Sequence, residues 1–233
     1  MGGYRQLMPS SAAVAPASPR VGRPRDRVLD AAILRTVREL LEERGYQSLS
    51  VQEVTRRCGV HVRTITRRWS TKAALVAAAI LGGDEALFAN DESPLRPTGR
   101  LAEDLRALVR GSIGYLAEPA TRAASPALVG ELACDDEVRE RFRRRAEEWS
   151  AIIRSVLELA VAAGDAPAHV LDRIPLVRNV VGGTAFSLQS IDPAIVDDEL
   201  LDQLTGFLLA GLLADDVRPG TRASTCEPTQ PAL

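Results

Sequence analysis

Apolar positions recur at helical spacing along most of this chain, and no stretch keeps the strict alternation of a strand. Leu29, Ile33, Val37, Leu40 and Leu41 follow at i, i+4, i+8, i+11 and i+12. They predict a first helix that opens near Pro24, a residue suited to a first turn, and ends at Gly45. Ser50 followed by Glu53 is a capping-box spacing that starts a second helix at Val51, and Cys58-Gly59-Val60 ends it. A third helix, about His61 to Trp69, is too short to be stable without its neighbours. At 100° per residue it sets Val62, Ile65 and Trp69 on one stripe, with Arg63, Thr64 and Arg67 opposite, flanked by Arg68 and His61. Thr71 can cap a fourth helix running through Leu75, Val76, Ala79 and Ile80 towards Phe88.

Two prolines and a glycine between Asn90 and Gly99 place a boundary there. Beyond it the period stays helical. One helix spans Leu101 to Leu116, and Ser125-Pro126 reads as cap and first residue of a short helix to about Ala133. Asp135-Asp136-Glu137 opens a long helix with an apolar seam of Val138, Phe142, Ala146, Trp149, Ile153, Val156 and Ala160. Its other face carries Arg139, Arg143 and Arg144, with Glu147 and Glu148 four residues after the last two, the mark of a solvated surface. Two apolar helices follow, about Ala168 to Ser190, kinked or shortened at Pro175, and about Ile195 to Ala214. The expected fold is all-α: an arm over 1–20, a three-helix reading domain with a linking helix over 21–90, a larger helical domain over 98–214, and a tail over 215–233.

Charge sharpens this division. Residues 1–75 hold 14 basic and 6 acidic side chains, residues 76–233 hold 15 and 25, so a near-neutral total of −2 hides ends of +8 and −10. A basic module joined to an acidic one suits binding of DNA by one end only. Lys72 is the sole lysine. Three cysteines, Cys58, Cys134 and Cys226, fit neither a disulfide framework nor a metal pattern. With no long apolar run and no signal-peptide core, they point to a cytoplasmic chain without a membrane span. No Gly-rich phosphate loop, H-E-x-x-H or nucleophile elbow occurs, and the only histidines, His61 and His169, are far apart. No catalytic residue, metal ligand or cofactor is therefore assigned, and Asp135 to Glu137 are read as caps.

The third helix carries the chemistry. Arginine reads guanine O6 and N7 in a major groove, and threonine meets a thymine methyl. A solvated amphipathic helix is the alternative the wheel leaves open. Arg20, Arg23 and Arg25, on the arm, suit either a narrow minor groove or loose phosphate contacts.

Gly22 to Ile80 resembles the N-terminal domain of the TetR/AcrR family of bacterial transcriptional regulators. The resemblance rests on GRPR at Gly22 to Arg25, on Val28-Leu29-Asp30-Ala31-Ala32, on the Gly45-Tyr46 pair, on S-V-x-E-V-x-x-x-x-G-V from Ser50, and on T-I-x-R-R-W-x-x-K-x-x-L from Thr64. Three positions depart from it. His61 stands where a small hydroxyl residue is usual, Thr66 where a tyrosine is, and Ala73 where a glutamate is common. The resemblance implies a ligand-responsive regulator, a repressor in most cases, binding double-stranded DNA as a homodimer. Val177, Val180, Val181 and Leu188 on one C-terminal helix and Leu200, Leu204, Phe207, Leu208 and Leu212 on the other give more apolar surface than a small core needs, which predicts that these two helices form the dimer interface; burial inside a monomer is the alternative. The resemblance also implies that Ser50, Thr71 and Lys72 hold phosphates and that Gln52 reaches a base edge. Arg63 and Arg67 then face the groove beside Thr64 and Thr66, with His61 and Arg68 at the flanking backbone. Tyr115, Phe142, Trp149 and Phe186 allow a small-molecule effector pocket in the second domain, though they would equally serve a plain core. The competing classes are an all-helical small-molecule enzyme and a protein–protein adaptor with a degenerate reading helix; salt-dependent binding to duplex DNA separates them.

Overall fold

A computed structural model of the chain describes residues 27–82, 96–190 and 197–214. Helices α1 (Arg27–Ser48), α2 (Val51–Cys58), α3 (Val62–Thr66) and α4 (Lys72–Leu81) come first. They are followed by α5 (Leu101–Ala117), α6 (Pro119–Glu131), α7 (Asp136–Ala162), a 3-10 turn (Ala168–Arg173), α8 (Ile174–Ser190) and α9 (Asp198–Leu213). The described residues are all-α, and none of their helices is long and apolar enough to cross a membrane. The expectations for 1–20, for Arg20, Arg23, Pro24 and Arg25, for the stretch to Phe88, for Ile195, and for Cys226 with the rest of 215–233 lie outside the described residues.

Two apolar cores form. In the first, Ile33, Val37, Leu40 and Leu41 of α1 pack with Val54, Ile65, Trp69 and the almost wholly buried α4, whose alanines let neighbouring helices come close. Ala120, Ala124 and Leu128 of α6 and Val138 of α7 belong to this core too. The second unites α5, α7 from Trp149 onward, the 3-10 turn, α8 and α9. One rod, α7, thus runs from the first core into the second. At the start of α5 the buried Asp104 accepts from the amides of Thr98 and Gly99, so the chain entering this helix is pinned where composition placed a boundary.

The helices depart from the expected boundaries where a local signal was outweighed. α6 begins at Pro119, because Glu118 caps it by accepting from the Thr121 amide at 3.0 Å. Pro126 therefore falls inside a helix that it was expected to open. α3 is only five residues long, and Val62, placed on the core stripe by the wheel, is 43% exposed: as first residue of so short a helix it faces outward while Ile65 and Trp69 fill the core. On α7 Arg143 does pair with Glu147, but Arg144 approaches Glu140 at 3.9 Å, and Glu148 is taken by Arg145 at 3.2 Å. Pro175 sits in the first turn of α8. Of the apolar residues expected on an intersubunit face, Val177, Val181, Leu208 and Leu212 are buried within the protomer, Val180, Leu188, Leu200 and Leu204 are half-buried, and Phe207 is 69% exposed. Cys58 is half-buried against the first core, and Cys134 is exposed.

Candidate functional site

The pair α2 and α3 is built from caps. Ser50 Oγ accepts from the Glu53 amide at 3.2 Å, and Gly59 adopts the left-handed conformation, φ 65° and ψ 28°, that ends α2 and frees the chain to turn. Only half of the capping box closes. The Glu53 carboxylate is taken instead by Arg56, whose Nε and Nη2 donate at 3.0 and 2.7 Å, and this bond chiefly holds its carboxyl at about 2.

The other cations around the pair are also claimed. Arg57 forks onto Glu43 with both contacts at 2.6 Å, Arg44 lies 3.8 Å from Glu53, and Arg68 reaches across to Asp30 of α1 and donates to the Thr64 carbonyl at 2.9 Å. Arg68 is thereby nine-tenths buried, a bracing role beside which any backbone contact is secondary. Arg63 and Arg67 differ: both are exposed, and their side chains have no hydrogen-bond or ion partner among the described residues. Gln52, His61 and Thr66 are exposed beside them, and Thr64 is half-buried.

Lys72 opens α4 and lies over the Tyr46 ring, 4.4 Å from its centroid, donating to the Gln47 carbonyl at 3.3 Å. Burial lowers its pKa. Thr71 caps α4 by accepting from the Ala74 amide at 2.9 Å, and the same hydroxyl donates to Asp135 at 2.6 Å. Ser70 donates to Glu137 at 2.8 Å. Asp135 is itself the cap of α7, accepting from the Glu137 and Val138 amides at 2.9 and 3.1 Å. The Thr71 hydroxyl is the main reason its carboxyl lies below the usual range. So the acidic start of α7 was correctly read as a cap, and it is also a grip on α4. Nothing local in the sequence signals that grip, since the partners stand 64 and 67 residues apart.

A cavity of about 440 Å³ lies among α5, α6, α7 and α8. Tyr115, Phe142, Trp149 and Phe186, named separately from sequence, all line it, and so do Arg145 and Arg178, which sequence reasoning passed over. Arg145 stands at a helical interval from Phe142 and Trp149, a charge inside an apolar seam, and that was the available signal. The Tyr115 hydroxyl donates to the Ile80 carbonyl at the far end of α4, and burial raises its pKa. Helix α4 is therefore held at its start by α7 and at its end by a wall of the cavity. His169 bonds the Leu212 carbonyl at 3.1 Å, and among the described residues no three His, Cys, Asp or Glu side chains gather as metal ligands.

Comparison with known proteins agrees with this layout. The family described as bacterial regulatory proteins, tetR family, matches residues 33–79, and the one described as Tetracyclin repressor-like, C-terminal domain, matches residues 95–208. The DNA-binding transcriptional repressor TetR of Mycobacteroides abscessus is 30% identical over 199 residues, covering 85% of this chain and 98% of that one. Among solved structures, a TetR family transcription regulator superposes with a TM-score of 0.62 at 23% identity, covering 78% of this chain and 97% of that one. The regulator FadR of Bacillus subtilis, solved in complex with stearoyl-CoA, gives 0.57 at 15% identity, covering 78% and 97%. By sequence over nearly all of a known relative and by fold, the chain belongs to the TetR family of bacterial transcriptional regulators, with α2 and α3 as its DNA-binding helix-turn-helix.

Proposed function

We propose that this protein is a repressor that binds a palindromic operator as a homodimer and is released when a small molecule enters the cavity between α5 and α8. One observation carries the DNA half of this reading. On α2, on α3 and in the residues just after α3, the other arginines are neutralised by Glu43, Glu53 and Asp30, and Arg63 and Arg67 are exposed with side chains unclaimed among the described residues. An unpaired guanidinium on a short exposed helix has its donors available for a base edge. In this reading Arg63 and Arg67 enter the groove beside Thr64 and Thr66, Gln52 reaches a base, and His61, Ser50, Thr71 and Lys72 meet phosphates, with Arg68 bracing α3 at its edge. The regulatory half is supported by α4, which both the cavity wall and α7 hold. The relative described as a repressor and the neighbour solved with a bound acyl-CoA are consistent with it.

The test is binding of the full chain to genomic DNA, mapped genome-wide, followed by salt titration on the recovered site. A regulator shows a steep fall of affinity with salt; an enzyme or adaptor shows none. Lys72→Ala is expected to weaken binding uniformly across sequences and to flatten the salt slope by about one unit, as the loss of one phosphate contact does. An unchanged slope places Lys72 away from the duplex. Asp135→Ala is expected to cost about 0.5–2 kcal/mol in urea unfolding through the lost cap. It should also speed hydrogen exchange of the Ala74 to Ala77 amides at the start of α4. Faster exchange confined to α7 would mean that the cap and the grip are separate.

A further inference from the structure

We propose that the effector is an organic anion, an apolar or aromatic skeleton bearing a carboxylate that Arg145 recognises inside the cavity. This rests on reading that cavity as the effector site. The lining is apolar but for a few groups, and its only charged side chains among the described residues are two arginines, Arg145 and Arg178. That is a local reversal of sign, because residues 76–233 carry a balance of −10.

Arg145 is the telling one. Its side chain is 11% exposed, Nη1 is spent on Glu148, and the guanidinium lies 5.3 Å from the Tyr115 ring centroid. Nε and Nη2 are buried and meet no acceptor at hydrogen-bond geometry, although the Tyr115 hydroxyl lies close enough to interact with the guanidinium. Buried donors of a charged group are almost always satisfied, and leaving them unmatched costs stability. These two nitrogens share one edge of the guanidinium and send out parallel N–H bonds, the edge that takes both oxygens of a carboxylate. Among the described residues the same edge does so elsewhere: Arg56 presents it to Glu53 at 3.0 and 2.7 Å, and Arg143 to Glu140 at 2.9 and 2.6 Å. A small turn of the flexible Arg145 side chain brings this edge to the cavity it already lines. Arg178 is half-exposed, donates to Ser150 and Asn179, and pairs with no carboxylate among the described residues, so it adds a second positive charge to the same wall. Phe142, Trp149 and Phe186 supply surface for the apolar body, and 440 Å³ lies within the range of small-molecule sites.

The experiment is calorimetric titration of the full chain with 4-phenylbutyrate and decanoate, each beside its alcohol and its amine. The acid is expected to bind at least tenfold more tightly than the matching alcohol. Arg145→Gln should erase that advantage without changing the affinity for the alcohol, and Arg178→Gln should reduce it about threefold. Arg145→Met, which removes a poorly matched buried charge, should hold or raise the melting temperature of the ligand-free protein, whereas a merely structural arginine would lower it. Alcohol or amine binding as tightly as the acid overturns the anion and leaves a ligand-responsive regulator standing. Undiminished acid binding by Arg145→Gln overturns the role of Arg145. No binding by any member, with operator complexes indifferent to all of them, overturns the anion and the effector reading together.

Discussion

Replacing Arg63 and Arg67 together by alanine is expected to reduce operator binding to the level of random DNA. A good bidentate arginine contact discriminates by about 1–3 kcal/mol, and a two-fold dimer makes each contact twice. Specific binding as a whole exceeds non-specific binding by about 4–10 kcal/mol, so losing both arginines in both half-sites removes most or all of it, a fall of a thousandfold or more. The fold should not notice. Both side chains are exposed and touch no partner among the described residues, and surface changes of that kind move stability by about 0.5 kcal/mol or less. Anisotropy titrations at one salt concentration, on the mapped operator and on scrambled DNA, decide it. Equal losses on both would make these residues phosphate contacts and transfer base reading to Gln52, Thr64 and Thr66.

The contrast with Arg56, Arg57 and Arg68 gives this test its control. All lie on or beside the same two helices, and a helical wheel treats Arg68 and Arg67 almost alike. Arg56 is taken by Glu53 on its own helix, but for Arg57 and Arg68 it is the tertiary partners, Glu43 from the end of α1 and Asp30 from its start, that divide cations bracing the reading pair from cations that remain available. A sequence read residue by residue shows which cations are present, but not which are spent. Caps behave in the opposite way. Ser50, Thr71 and Asp135 accept from amides within three residues, and Gly59 donates its own amide to the Thr55 carbonyl four residues back, so their spacing alone located the helix starts and the turn. Where two local signals competed, the structure chose by geometry: Glu118-Pro119 with Thr121 opened α6 seven residues before Pro126, a start that the sequence also carries but that the more familiar Ser-Pro pair obscured.

The cavity was half legible for a related reason. Its aromatic residues stand on three helices and are also what any core would contain, so their convergence depends on how α5, α7 and α8 pack. The ties between α4, α7 and the cavity wall were invisible. They consist of hydrogen bonds from Ser70 and Thr71 to the start of α7 and from Tyr115 to the end of α4, all between residues at least 35 positions apart. In the proposed function these bonds carry a rearrangement of the cavity wall to α4, whose cap Thr71 and first residue Lys72 stand at the DNA.

Phe207→Glu is expected to convert the protein from a dimer to a monomer. Phe207 is 69% exposed on α9 and, with Val180 and Leu204, borders a small pocket of about 100 Å³ among α5, α8 and α9. Glycines and alanines along the same stretch of α9, Gly206, Ala210 and Gly211, are exposed as well, and Cβ atoms added at the two glycines would meet nothing. Such a face suits the close approach of a second copy. In a two-fold interface each substitution counts twice. An aromatic anchor is commonly worth about 2–4 kcal/mol, so the pair of glutamates should raise the dissociation constant by a factor of about a thousand or more. Sedimentation at micromolar concentration should give about 50 kDa for the wild type, twice the chain mass of 25.1 kDa, and the single mass for the variant. The variant should keep its helical content, because the removed ring contributes little to the protomer core, yet it should lose operator affinity steeply, since one α3 reads only one half-site. A wild type that sediments as a monomer would remove both the interface and the palindromic operator from the proposal, and a Phe207→Glu dimer would move the interface to another face.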